Sequence, residues 1–355
     1  MKEKKVLIVD DSALIRKELG KLLQNNNFIV DYARNGIEAV EKAIENNYDV
    51  ITMDINMPQM DGLSAVKKIM KQNPIPIVMV SSLTQGDADI TFEALDYGAV
   101  DFVGKPGTIT LKVKDTGKDI VTKVTQASKI SKNRLIIRKA GNITKKSLNE
   151  KPKKAEVKRA VKAKKLILIG SSTGGPGLIE KIAVSVPKGY PHPICIVQHM
   201  PEVFTSKFAA RLDNLSNLNV VEAKNNDSVS SGKIIIGKGG YHLHFTKKSS
   251  GILNIKLGAN LKGAFFTPSI DEMFISASKN FEPKSILAIE LTGIGDDGAD
   301  GMVELKKKGA YTIAESKESA TIYGMPRAAY ERGGTTKVLD FDDILKEIIA
   351  FGKDK

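Results

Sequence analysis

Residues Leu166–Ile169 form an unbroken apolar run that halts at Gly170-Ser-Ser-Thr-Gly-Gly-Pro-Gly177 before an apolar-periodic segment begins at Leu178. Such a run reads as a strand buried in a parallel sheet, and the segment after the glycines reads as a helix. A strand, a glycine turn and a helix in that order confine the chain to α/β architecture. The turn has the pattern Gly170-x-Ser172-x-Gly174. A sharp turn of this kind lifts a serine hydroxyl above the sheet and aims the helix's first amides at a developing oxyanion. The same geometry suits phosphate, because glycines let the backbone approach and a helix N-terminus favours anions. No Gly-Lys-Ser/Thr follows, and Gly-x-Gly-x-x-Gly is absent from the turn, so the best-defined phosphate patterns fail. The turn alone leaves both chemistries open.

Residues 1–106 alternate strand and helix patterns, as a doubly wound parallel sheet does. Apolar strands are expected at Val6–Val9, Val50–Met53, Ile75–Val80 and Val100–Val103, with a helix over Ala13–Gln24. In open α/β sheets the active crevice lies at the carboxyl ends of the strands. Four strands thus deliver Asp10 and Asp11, Asp54, Ser81 and Lys105 to one edge. Carboxylates converging there repel one another unless a hard cation sits among them, and Mg²⁺ suits that ligand set. A carboxylate held in this way beside a lysine can accept a phosphoryl group. With Asp54 inside Met53-Asp-Ile-Asn-Met-Pro-Gln-Met-Asp-Gly62 and Lys105 followed by Pro106, the segment resembles a response-regulator receiver domain. The resemblance implies a flavodoxin-like fold with Asp54 as phospho-acceptor, and Asp10, Asp11, Asp54 and the Asn56 carbonyl around Mg²⁺. It also implies Ser81, Phe102 and Lys105 as the switch residues of the receiver.

The charge of the chain is unevenly placed. Residues 107–165 hold 19 of the 54 Lys/Arg and 4 of the 41 Asp/Glu, which leaves 35 against 37 elsewhere. The segment 107–164 therefore reads as a long, basic, flexible linker with helical stretches near Ile120–Ile137. Its alternative role is attraction to an acidic partner, and a response regulator whose basic segment binds nucleic acid is the rival reading of the whole chain. Against that rival, the second domain is charge-balanced and carries no compact helix-turn-helix pattern, so no specific nucleic acid is expected. No apolar stretch approaches the roughly 18 residues of a membrane helix, so no membrane insertion is expected. The single cysteine, Cys195, lies within the apolar run Ile194–Val197 and excludes an internal disulfide, which points to a reducing cytoplasm.

From residue 165 to 355 the alternating pattern returns. Strands are expected at Ile194–Val197, Ile234–Ile236, Tyr241–Phe245, Ser285–Thr292 and Ala310–Ala314, and helices at Leu178–Val184, Met302–Lys308 and Asp342–Phe351. Ser172, His199 and the pair Asp296/Asp297 all leave the carboxyl ends of apolar strands. A serine needs an adjacent base, and a histidine serves best when a carboxylate fixes its tautomer. The order Ser, His, Asp differs from that of α/β-hydrolases, so the serine pattern does not imply that fold. His242 and His244, two apart on one strand face, raise a metal reading, but four histidines with no cysteine pair make a poor zinc site. His192, between two prolines, reads as a loop residue.

The motifs Gly170-Ser-Ser-Thr-Gly-Gly-Pro176, Gln198-His-Met-Pro201, Gly240-Tyr-His-Leu243, Pro268-Ser-Ile-Asp-Glu-Met-Phe274, Leu291-Thr-Gly-Ile-Gly-Asp-Asp-Gly-Ala299 and Tyr323-Gly-Met-Pro-Arg327 stand in one order. Together with the receiver they resemble the chemotaxis protein-glutamate methylesterases, the CheB family, over the whole chain apart from the linker. The resemblance implies a phosphorylation-activated serine hydrolase with a mainly parallel, Rossmann-like catalytic domain at 165–355. Ser172 would attack glutamate γ-methyl esters of methyl-accepting chemotaxis receptors and release methanol, with His199 as base and Asp297 orienting it. Thr173 and the backbone around Ile294 would set the nucleophile and oxyanion site, with no cofactor for the ester chemistry. Deamidation of receptor glutamines, phosphorylation by a chemotaxis histidine kinase, and a cytoplasmic location at receptor clusters are further implications. A receiver covering the Ser172 face at rest is the expected mode of control. The chain has Ile294 where the family often has methionine, and Gly237-Lys-Gly-Gly240 where it often has Ala-Pro-Gly-Gly.

Overall fold

A computed structural model of the chain describes residues 3–82, 84–105, 113–132, 135, 163–249, 251–260 and 265–353. The chain divides into two compact units, Met1–Asn142 and Ile143–Lys355. No helix among the described residues is long and apolar enough to cross a membrane.

The first unit is a five-stranded parallel sheet. Its strands are β1 (Lys4–Val9), β2 (Phe28–Ala33), β3 (Val50–Asp54), β4 (Ile77–Ser81) and β5 (Asp101–Gly104), in the order β2-β1-β3-β4-β5. Helices α1 (Ala13–Gln24), α2 (Gly36–Glu45), α3 (Gly62–Gln72), α4 (Gln85–Asp96) and α5 (Val113–Ala127) connect and complete it. Ser12, Asn35, Asp61 and Thr84 cap the first four by accepting from amides of the first turn. The strands β1, β3 and β4 are buried almost throughout, which is why they read as unbroken apolar runs. β2, an edge strand with exposed positions, does not read that way and was not among the expected strands.

α5 corrects the expected boundaries. It lies inside the segment read as linker, yet Ile120, Val124 and Ala127 are buried and the helix packs on β5. Three apolar residues spaced four and three apart, among lysines and threonines, are enough to seat a helix on the sheet edge. The doubly wound unit is thus finished by a helix beyond Pro106. The expectation of a flexible linker over 136–162 lies outside the described residues.

The second unit is built on seven parallel strands in the order β14-β13-β12-β6-β7-β9-β8. They are β6 (Leu166–Ser171), β7 (Ile194–Gln198), β8 (Asn219–Glu222), β9 (Lys233–Ile236), β12 (Ile286–Glu290), β13 (Tyr311–Glu315) and β14 (Lys337–Leu339). An antiparallel hairpin, β10 (His242–Lys247) with β11 (Leu253–Gly258), stands apart from this sheet. The helices are α6 (Gly175–Ser185), α7 (Glu202–Leu215), α8 (Ile270–Asn280), α9 (Ala299–Lys307), α10 (Met325–Glu331) and α11 (Phe341–Phe351). The core joins Leu168, Val197 and Ala288 of the central strands to Leu243 of the hairpin and Phe274 of α8. Cys195 is buried there, and burial pushes its thiol up, out of reach of a reactive thiolate. β6, β7 and β12 lie side by side at the centre, so their carboxyl ends open onto one crevice.

Candidate active site

The turn after β6 is held from several sides. Ser172 N–H donates to Thr292 O at 3.0 Å, while Ser172 O accepts from Gly175 N at 2.9 Å and from the Gln198 side-chain amide at 2.9 Å. Gly174 has φ 85°, in the left-handed region, and a Cβ on Gly175 would lie 1.9 Å from Ser171 Oγ. Glycine at both positions lets the chain turn directly into α6 behind the serine. Thr173 is buried, and its carbonyl accepts from Thr292 Oγ1 at 2.9 Å.

The candidate base, His199, comes from the neighbouring strand. β6 and β7 pair with Ser171 opposite Gln198, and His199 N donates to Ser171 O at 3.0 Å. Ser172 and His199 therefore leave adjacent strands at the same level, about 4.8 Å apart in the ladder direction. His199 Nε2 lies 2.8 Å from Asp297 Oδ2. Its Nδ1 is buried and has no hydrogen-bond partner in the protein, so it is the nitrogen left for a hydroxyl proton. Phe266 covers one face of the imidazole, stacked at 4.0 Å between ring centroids and 10° from parallel.

Of the two candidate acids, only Asp297 turns inward. Its oxygens accept from Ser269 Oγ at 2.8 Å, Ile270 N at 2.7 Å and Asp271 N at 3.1 Å as well as facing His199. Those amides begin α8, so the carboxylate also lies at the positive end of a helix. Burial acts to raise the Asp297 pKa, but the His199 contact and the donors outweigh it and hold the group at about 2. It stays ionised and able to stabilise an imidazolium. Asp296 is exposed and pairs with Arg332 instead.

The loop after β12 closes the third side. A Cβ on Gly293 would fall 2.0 Å from Met325 Sδ and 2.9 Å from Ser172 Cβ, so only glycine lets this backbone lie against the nucleophile. Gly293 N–H is already given to Ile322 O at 3.1 Å, which leaves the next amide, that of the buried Ile294, beside the turn.

The remaining histidines serve the scaffold. His242 Nδ1 accepts from Ser269 N at 3.1 Å, and His244 Nε2 faces Glu272 at 3.1 Å. His192 is a loop residue, as expected, but a buried one, set edge-on to Tyr190 and Phe351. Lys238, the departure in the Gly237–Gly240 loop, pairs with Glu202 at 3.0 Å and lies over the Tyr241 ring.

In the first unit, Asp10, Asp11 and Asp54 each offer an oxygen within 4.8 Å of the others, and among the described residues this is the group that could hold a metal ion. Lys105 Nζ lies 2.8 Å from Asp54 Oδ2 and 3.2 Å from Asp10 Oδ2. Burial lifts the Asp54 carboxyl, Lys105 opposes the lift and the charge of Asp10 adds to it, a tension that a dication would relieve. The donor set therefore fits Mg²⁺. The Asn56 side-chain amide donates to Asp87 Oδ1 at 3.0 Å. Ser81 ends β4 and is buried, and Phe102 lies buried on β5, where Lys123 Nζ donates to its carbonyl at 2.9 Å.

Sequence reasoning gave no role to Phe266, Ser269 or Gln198. Ser269 could have been found: Ser269-Ile-Asp-Glu272 has the spacing of a helix-capping box, and Ser269 does cap α8. Phe266 and Gln198 carry no such local signal.

Comparison with known proteins agrees with both units. A family model described as CheB methylesterase matches residues 167–348, and one described as response regulator receiver domain matches residues 6–113. A protein-glutamate methylesterase/protein-glutamine glutaminase 2 of Carboxydothermus hydrogenoformans is 46% identical over 353 residues, covering 98% of this chain and 99% of the relative. The protein-glutamate methylesterase/protein-glutamine glutaminase of Archaeoglobus fulgidus is 42% identical, covering 98% and 97%. Among solved structures, the Thermotoga maritima CheB methylesterase catalytic domain superposes with a TM-score of 0.50 at 36% identity, covering 52% of this chain and 97% of that one.

Proposed function

This chain belongs to the CheB methylesterase family, and from that premise we propose how its residues divide the work. The protein is a response regulator whose output is an enzyme, a protein-glutamate methylesterase and protein-glutamine glutaminase of chemotactic adaptation. Ser172 Oγ attacks the γ-carbonyl of a methylated glutamate on a chemoreceptor, and His199 Nδ1 takes its proton. The tetrahedral oxyanion is received by backbone amides near Thr173 and Ile294. Collapse expels the methoxy group, which His199 protonates to methanol. Water, activated by the same histidine, then frees the glutamyl carboxylate and restores Ser172. A glutamine side chain follows the same path with ammonia as leaving group. Asp297 stays ionised throughout and fixes the tautomer that leaves Nδ1 free.

Asp54 is the phospho-acceptor, with a chemotaxis histidine kinase as donor, and its phosphorylation raises the esterase rate. Asp10, Asp11, Asp54 and the Asn56 carbonyl would hold Mg²⁺, which supplies neutralising charge during phosphoryl transfer. Lys105 completes that site, and Ser81 and Phe102 carry its state outward. We assign the receiver to the chain up to and including α5 and the catalytic domain to 165–355, with the enzyme working in the cytoplasm at receptor clusters.

The observation that carries the catalytic reading is the His199–Asp297 bond, anchored by the start of α8 and set beside Ser172 by strand register. The test is methanol release from methylated receptor by wild type and Ser172→Ala, each with and without a small phosphodonor and Mg²⁺. Wild type should release methanol faster with the donor, and the variant should release none above background. Equal release by the variant would remove Ser172 from the mechanism.

A further inference from the structure

Glu315, the last residue of β13, is fully buried and carries no role in the site described above. One carboxylate oxygen accepts from Thr292 N at 2.8 Å and the other from Ser319 Oγ at 2.9 Å. Thr292 is the residue through which the nucleophile turn is fixed. Its carbonyl takes the Ser172 N–H at 3.0 Å, and its hydroxyl donates to Thr173 O at 2.9 Å while accepting from Ile322 N at 2.9 Å. The next residue, Gly293, makes the close approach to Ser172 and leads to the Ile294 amide.

We propose that Glu315 is a positioning residue of the acyl-transfer site: acting through Thr292, it holds the Ser172 turn and the Gly293–Ile294 oxyanion segment in one fixed relation. β12 ends at Glu290, so Thr292 has left the ladder and its amide needs an acceptor from elsewhere. A buried N–H without an acceptor is costly enough to move the backbone that carries it. Glu315 reaches it from the adjacent strand, one residue beyond the Glu290–Ala314 pair that ends the β12–β13 ladder, and is itself paired with Leu339 of β14. Ser319 Oγ, which also accepts from Phe341 N at 3.1 Å, pins the second oxygen and hence the carboxylate plane. A shift of Thr292 would move the Ser172 amide, the Thr173 carbonyl and the oxyanion loop together. Misplacement on the order of 1 Å in such a site is expected to cost about 100-fold in rate. Glu315 is fully buried and acts through Thr292, so substrate binding should change little.

The proposal rests on Ser172 as nucleophile, and the experiment separates the two. Steady-state methanol release from methylated receptor is measured with the full chain, phosphodonor and Mg²⁺ for wild type, Ser172→Ala, Glu315→Gln, Glu315→Met, Thr292→Ser and Thr292→Val. Glutamine can still accept from Thr292 N while its amide turns to the Ser319 hydroxyl, so Glu315→Gln should keep kcat within about threefold. Glu315→Met, similar in length but without an acceptor, should lose about 100-fold in kcat with KM within about twofold. Thr292→Val should lose kcat likewise and Thr292→Ser should not, which preserves the test if Glu315→Met fails to fold. Circular dichroism establishes that each assayed variant is folded. Glu315→Met and Thr292→Val folded with wild-type kcat, or a loss that appears in KM alone, would overturn the positioning role. Wild-type activity in Ser172→Ala would instead overturn the catalytic reading.

Discussion

Glu290 ends β12, fully buried, with neither carboxyl oxygen hydrogen-bonded. Gly170 and Gly298 crowd it so closely that a Cβ would lie 3.0 Å and 2.1 Å from its oxygens. Burial first, and then the charges of Asp297 and Asp271, push its pKa well above the ordinary 4.5. Above pH 4.5 the folded protein therefore holds the Glu290 proton more firmly than the unfolded chain does. The native state holds the extra proton, so stability falls as pH rises from 4.5 toward the folded pKa. Holding that proton costs at most about 1.36 kcal/mol for each pH unit above 4.5. Glu290→Met removes the titrating group at similar length. Its stability advantage over wild type should grow as pH rises above 4.5, by at most about 1.4 kcal/mol per pH unit. Asp271, lifted by burial to about 6, adds its own dependence to both proteins. Pulse proteolysis in urea at several pH values, scored on the intact catalytic unit, measures the gap. Parallel curves for the two proteins across this range would refute a buried neutral carboxyl.

Asp297→Asn must set an amide NH₂ against His199 or against the N–H groups of α8, and it loses the imidazolium's counter-charge. It should lower kcat by on the order of 10³-fold or more in the methanol assay. Gly293→Ala drives a methyl into Met325 and Ser172, so thermal melting should show about 1–3 kcal/mol of lost stability together with reduced turnover. Asp54→Asn should leave basal methanol release in place and abolish stimulation by phosphodonor and Mg²⁺. Chelation of Mg²⁺ should do the same to wild type, and persistent stimulation would remove Asp54 from the switch.

The central strands were legible because β1, β3, β7 and β12 are buried on both faces and so run apolar without interruption. The edges were not. β8 is only partly buried and β14 is mostly exposed, so no continuous run marks them, and α5 shows one narrow apolar stripe among basic residues. Ser172, His199 and Asp297 were legible for a related reason, since each stands just beyond an apolar run that ends. Phe266, Glu315 and Thr292 act through contacts reaching across 23 to 119 residues of chain or from irregular segments. No local pattern encodes such contacts, because they come into being only when the strands pack. Of the pair Asp296/Asp297, the resemblance pointed to Asp297, and it is Asp297 that meets the start of α8.

The pairing of Ser171 with Gln198 bears on how such an enzyme can change without losing its chemistry. Nucleophile and base are spaced by the backbone ladder of two central strands, so their separation does not depend on any side chain that a new substrate would select. The crossovers at the carboxyl edge, among them the 265–268 segment with Phe266 and the Lys238 loop, can be lengthened or exchanged while that spacing persists. An insertion of one residue within β7 has the opposite effect, because it turns every later side chain of the strand to the other face and carries His199 away from Ser172. Variation that broadens the range of esters or amides accepted should therefore collect in the loops, while β6 and β7 tolerate substitution but not a change in length.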